Sequence, residues 1–155
     1  MRFDLKTFQF IDSARAPDAL AVVGADRSLT WAQLREEAEA WAAQAREHGA
    51  APDVPVAIYG HKEASFFVAM VGALLIGAPF VPVDTIYPPE RLRRIVEIVR
   101  AAAVYDAAAG GFEPGEGAEL AERGLAYVMF TSGSTGDPKG VQIGRESVGL
   151  LGDWM

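Results

Sequence analysis

At 155 residues, half of them hydrophobic, the chain is long enough to bury a full core, reads as one domain and is too apolar for disorder to be its default state. A formal net charge of −7, with cations scattered apart from Arg91, Arg93 and Arg94, excludes the clustered Lys and Arg from which nucleic-acid binding draws its affinity. The absence of cysteine excludes disulfides, thiolate zinc sites and cysteine nucleophiles, and it fits a reducing, cytoplasmic setting.

The first residues, Met1 to Lys6, lack the uninterrupted apolar core of a secretion signal. Residues 7–15 are predicted to form a short helix capped by Thr7, with Phe8 and Ile11 on one face, ending before Pro17. Ala19 to Val23 reads as a strand, and residues 24–27 as the turn of a hairpin into Ser28 and Leu29. Thr30 followed three residues later by Gln33 is a capping box. It opens a helix of about four turns, with Trp31, Leu34, Ala38, Trp41 and Ala45 along one stripe. Those tryptophans are expected in the core.

Val54 to Tyr59 is a short apolar strand, and Glu63 to Ile76 a helix that is apolar almost all round, with Gly77 as its left-handed cap. A helix without a polar face has to be covered on more than one side. Phe80 to Val83 follows as a strand, with Pro79 and Pro82 pointing to an edge or an irregular end. The apolar run from Phe66 to Val83 contains two Gly and two Pro, and it fits a buried helix and strand rather than a membrane span. Pro88 to Arg100 reads as an amphipathic helix with Leu92, Ile95, Val96 and Val99 inward, and Ala102 to Tyr105 as one more strand. Ala108 to Ala118, with four glycines, is expected to be a loop. Leu125 to Phe130 is a strand, and Glu146 to Met155 a last helix. Strands alternating with helices imply an α/β fold, a largely parallel sheet layered by helices on both faces.

The segment Tyr127 to Ile143 organises the rest. An apolar strand breaks into small hydroxyl residues and glycines, closes on Pro138-Lys139-Gly140 and resumes as Val141-Gln142-Ile143. Glycines 133, 136 and 140 are expected to let the backbone take positive φ and come close to a ligand, so that successive N–H groups converge on an anion. Thr131, Ser132, Ser134 and Thr135 add hydroxyl donors, and Lys139 a compact positive charge. A solvated Gly/Ser linker would need neither the flanking strands nor the lysine. The spacing is also not that of a Gly-x4-Gly-Lys-Ser/Thr loop, because Pro138 precedes Lys139 and Gly140 follows it.

The run from Thr131 to Val141 resembles the phosphate loop of the adenylate-forming enzymes, the superfamily of acyl-CoA synthetases, luciferases and nonribosomal peptide synthetase adenylation domains. Within it the chain is most similar to D-alanine:carrier-protein ligases, on Tyr59-Gly60-His61-Lys62-Glu63, Gly77 to Asp84, Pro89-Glu90-Arg91, Gly140 to Ile143 and Asp153-Trp154. Ile76 stands where many relatives have Lys, and Asp137 at a variable position. The resemblance implies that residues 1–155 are an incomplete amino-terminal part of the large domain, expected to be inactive alone. The implied reaction uses ATP and Mg²⁺ to activate an amino acid, with D-alanine favoured, as an acyl-adenylate. The acyl group then passes to the phosphopantetheine thiol of a carrier protein. Thr131, Ser132, Gly133, Ser134, Thr135, Gly136 and Lys139 would hold the β- and γ-phosphates, and a carboxy-terminal partner chain could complete the enzyme. The alternative is a non-catalytic module that binds nucleotide or a partner protein.

Other residues are weaker candidates. His48 is expected to be exposed or bound to a last-turn carbonyl, and His61, just after a strand, to be structural more often than functional. No His/Asp/Glu group has metal-ligand spacing. Asp84 and Glu90 lie on unrelated elements, and Ser132 and Ser134 have no foreseeable base, so neither paired carboxylates nor a serine nucleophile is assigned.

Overall fold

The computed structural model describes residues 16–117, 119–131 and 138–148. The expected helix at 7–15, the loop residues 132–137 and the last helix beyond residue 148 lie outside them; residues 145–148 are helical.

The hairpin of β1 (Leu20–Val23) and β2 (Ser28–Thr30) leads into α1 (Trp31–Glu47). The capping box is present: the Thr30 hydroxyl accepts the Gln33 N–H, and the Gln33 side chain accepts the Thr30 N–H at 2.9 Å. β3 (Val56–Gly60), α2 (Ala64–Ile76), β4 (Phe80–Asp84), α3 (Pro89–Val99) and β5 (Ala103–Asp106) follow, then β6 (Gly111–Pro114), β7 (Leu125–Thr131) and β8 (Lys139–Gly144). Gly77 ends α2 in the left-handed region at φ 81°, as its position predicts.

Strands β3 to β8 form one mixed sheet in the order β6-β5-β3-β4-β7-β8. Its centre is parallel, with Val56 level with both Phe80 and Ala103, whereas β6 and β8 pair antiparallel at the two edges. The period of two along each strand sorts side chains to opposite faces. Val56, Ile58, Phe80 and Tyr105 pack with α1 and α2 on one face. Ala57, Val81, Val83, Val104 and Val128 pack with Ile95 and Val96 of α3 on the other. Sequestering Ile58 from water contributes on the order of 2 kcal/mol. Trp41 is buried as expected, its ring edge-on to Tyr105 at 5.6 Å and lying against Gly72 of α2.

Two expectations are corrected. Residues 111–114, within the segment read as a loop, form edge strand β6, because Phe112 packs against Trp41 and Tyr105 with centroids 5.3 and 4.9 Å away. One aromatic side chain outweighs the glycine-rich composition around it. β4 is an interior strand despite Pro79 and Pro82. The Pro79 carbonyl and the Thr85 N–H both bond to β3. By alternation the N–H that Pro82 lacks would face β7, where the register is carried by Phe80 and Tyr127, two residues earlier along the strands.

Candidate functional site

The parallel strands β5, β3, β4 and β7 all end at one edge of the sheet, where open α/β sheets bind ligands. The chemistry-bearing residues gather there: His61 directly after β3, Asp84 closing β4 and Thr131 closing β7. Lys139 opens β8 at the same edge, directly opposite Thr131 in the antiparallel register. The expected phosphate-binding loop is thus the connection of a hairpin whose two feet are its first hydroxyl and its lysine. Thr131 and Lys139 are both exposed, and Pro138 is half-buried. The structure brings these two candidates together; Ser132, Gly133, Ser134, Thr135 and Gly136 lie outside the described residues.

Gly140 departs from expectation. It lies within β8 without the positive φ found at Gly77 or Gly124. Its need is for space: a Cβ there would stand 3.0 Å from Val128 Cγ1 and 3.1 Å from the Phe130 ring. β7 is buried only at Leu125, Ala126 and Val128, leaving Met129 45% exposed just before the loop.

A second pair was not foreseen as a pair. His61 Nδ1 lies 2.9 Å from both carboxylate oxygens of Asp84, so the ring donates its Nδ1 proton to the carboxylate. Asp84 Oδ1 also accepts the Ile86 N–H at 2.9 Å, and the His61 N–H donates to Glu63 Oε2 at 2.7 Å. Partial burial pushes the Asp84 carboxyl up, but the Ile86 N–H and His61 together outweigh it and hold the group below its usual range. The usable signal was the rule that consecutive parallel strands tend to lie side by side, which makes neighbours of the ends of β3 and β4. Glu90 takes no part and forms an exposed ion pair with Arg93 at 3.0 Å.

His48 behaves as its position predicts: its Nδ1 donates to the Gln44 carbonyl at 3.0 Å, and its ring stacks on Phe112 at 4.8 Å. Among the described residues no group of three or more His, Cys, Asp or Glu could hold a metal ion, and no helix is long and apolar enough to cross a membrane.

A family model described as AMP-binding enzyme matches residues 10–114 and 104–149. The chain is 32% identical over 161 residues to a D-alanine–D-alanyl carrier protein ligase of Bacillus velezensis, covering 90% of this chain and 32% of that protein. It is 34% identical over 161 residues to bacitracin synthase 1 of Bacillus licheniformis, covering 90% of this chain and 3% of that one. The chain therefore spans about a third of the first of these relatives and a small part of the second. The nonribosomal peptide synthetase FmoA3, solved with α-methyl-L-serine-AMP bound, superposes with a TM-score of 0.68 at 26% identity, over 87% of this chain and 17% of that one.

Proposed function

Because this chain belongs to the AMP-binding enzyme family, we propose that it contributes the phosphate-binding loop of an adenylate-forming ligase that activates an amino acid, with D-alanine favoured. The observation that carries this reading is the hairpin at the carboxyl edge, with Thr131 and Lys139 facing each other at its base. A ligand seated there meets a hydroxyl and a cation from two strands that share one ladder, so both arrive in a fixed relation. In the reaction, an oxygen of the substrate carboxylate attacks the α-phosphorus of ATP, the bond from that phosphorus to the bridging oxygen breaks, and pyrophosphate leaves. Charge builds on the leaving group, and positioned donors lower the barrier by a few kcal/mol each. Thr131 and Lys139 would do this together with Ser132, Gly133, Ser134, Thr135 and Gly136. Mg²⁺ takes oxygen ligands, which suits the hydroxyl and phosphate oxygens this loop would gather, and when bound it would neutralise part of the phosphate charge. In the second half-reaction a carrier-protein thiol displaces AMP from the acyl-adenylate.

The test is ATP–pyrophosphate exchange, assayed with this chain joined to a sequence corresponding to the remaining length of the D-alanine ligases. Exchange with D-alanine is the expected result; exchange with another amino acid alone would reassign the substrate, and none with any amino acid would remove the ligase reading. The half-exposed Met129 and Val141 on β7 and β8 favour a second reading, a non-catalytic nucleotide- or partner-binding module. A monomer that binds ATP in calorimetry without supporting exchange in the joined protein would select it.

A further inference from the structure

The chain leaves β3 for α2 on one face of the sheet and leaves β4 for α3 on the opposite face. Adjacent parallel strands whose connections part in this way open a crevice between their carboxyl ends, the place where doubly wound sheets take ligands. His61 and Asp84 are the residues at the mouth of that crevice, one from each strand, and they bond across it. Their side chains remain 38% and 33% exposed. With Nδ1 committed to Asp84, the ring has one nitrogen left, Nε2, and no described residue bonds it. In the sheet order β3-β4-β7-β8 the strand that carries His61 stands two spacings, about 10 Å, from Thr131 and three from Lys139. Side chains reaching in from both sides narrow that gap, most of all the four-carbon stem of Lys139, and leave room for a polyphosphate between them.

We propose that His61, held by Asp84, is a further phosphate contact of the nucleotide site, donating its Nε2–H to an anionic oxygen of ATP or pyrophosphate. Asp84 is its positioning residue, fixing the tautomer and the ring plane from behind, as a carboxylate does for a histidine that binds through its other nitrogen. The charges around the ring are Asp84 on β4, Glu63 at the start of α2, and Lys62, whose charge acts on Asp84. The inference rests on the phosphate-binding reading given above.

The chain contains two histidines, so imidazole nitrogen NMR resolves the question with its own internal reference. His48, tied to Gln44 and stacked on Phe112, serves as the control ring. Inorganic pyrophosphate, added to the full chain at fixed pH, should shift His61 Nε2 along a saturating curve and leave His48 unmoved, whereas sulfate at equal ionic strength should not. His61→Ala should weaken pyrophosphate binding about tenfold in calorimetry, His61→Gln should retain much of it through its amide donor, and Asp84→Asn should alter the tautomer signature of the ring along with the affinity. Melting temperatures confirm that each variant is folded, and the wild-type titration stands without them. Pyrophosphate binding that depends on Lys139 while His61 stays unmoved would overturn this inference and spare the loop. A His61 shift that persists at the same concentrations in Lys139→Ala would spare the His61–Asp84 site and overturn the loop. An equal response to sulfate, or no pyrophosphate binding, would overturn the inference outright.

Discussion

Arg145 and Asp53, 92 positions apart, meet at 3.2 Å beneath the amino ends of the central strands. The Arg145 guanidinium also donates to the Leu125 carbonyl at 3.1 Å and to the carbonyl of Gly77, while Asp53 Oδ1 accepts the Gly124 N–H at 3.0 Å. One ion pair thus ties the end of β8, the start of β7, the cap of α2 and the turn before β3. Asp53 does this with a φ of 63°, which side chains other than Asn and Asp tolerate poorly.

The Asp53 series separates these contributions. Asp53→Ala loses the carboxylate and keeps the strained backbone, and should cost about 2–3 kcal/mol in urea unfolding. Asp53→Asn keeps an acceptor for Gly124 and tolerates the left-handed region, so it should cost less. Asp53→Gly relieves the backbone alone and should fall between them. Equal losses in all three would assign the whole effect to the charge facing Arg145 and would show that neither the left-handed backbone nor the Gly124 bond contributes.

Gly72→Ala sets two effects against each other. In a helix interior the exchange is worth up to about 1 kcal/mol in its favour. Here the new Cβ would stand 2.5 Å from Trp41 Cε3 and 3.0 Å from the Ala38 carbonyl oxygen. Overpacking against a ring and a backbone atom costs about 1–3 kcal/mol, so the substitution should destabilise, and a rise in Tm would contradict the α1–α2 packing described.

Acid should loosen the fold through Asp26 and Asp84. Asp26 Oδ1 accepts the Ala64 N–H at 2.8 Å, capping α2 from the β1–β2 turn because Glu63 provides no side-chain cap. That bond holds its carboxyl below the usual range, outweighing the partial desolvation that acts the other way. Both folded-state pKa values lie below those of the unfolded chain, so the stabilisation is present above the ordinary carboxylate value near 4 and is lost as pH falls through the folded values. Urea midpoints of the wild type should drop on that acid limb, and Asp26→Asn and Asp84→Asn should flatten it. An unchanged limb in both variants would assign acid sensitivity to other groups.

Lys139→Ala should reduce ATP–pyrophosphate exchange in the joined protein by on the order of tenfold to a hundredfold, with the larger effect on pyrophosphate and ATP than on the amino acid. Thr131→Val, losing one neutral donor, should cost less. Unchanged kinetics for Lys139→Ala would remove that residue from its proposed role.

Much of this was legible because the deciding signals are local. The capping box at Thr30 and Gln33, the cap at Gly77 and the inward stripe of α3 each depend on a few neighbouring residues. β6 was missed because its stability comes from Phe112 reaching Trp41, 71 positions earlier in number, an attachment that no local window contains. Pro82 misled for a related reason: a missing N–H matters only when a neighbouring strand asks for it, and the sheet order decides that. At the site, Thr131 and Lys139 could be read as one motif because the loop joins them. The meeting of His61 with Asp84, 23 positions on, required knowing which strand ends stand side by side.

β8 carries Lys139 at one end and runs into Arg145 at the other, six residues and about 20 Å away. The far end is clamped by Asp53, Gly77 and Leu125, and the ladder to β7 continues from there to the lysine. The position of the lysine is thereby referred, through one ladder and one ion pair, to the cap of α2 and the turn before β3.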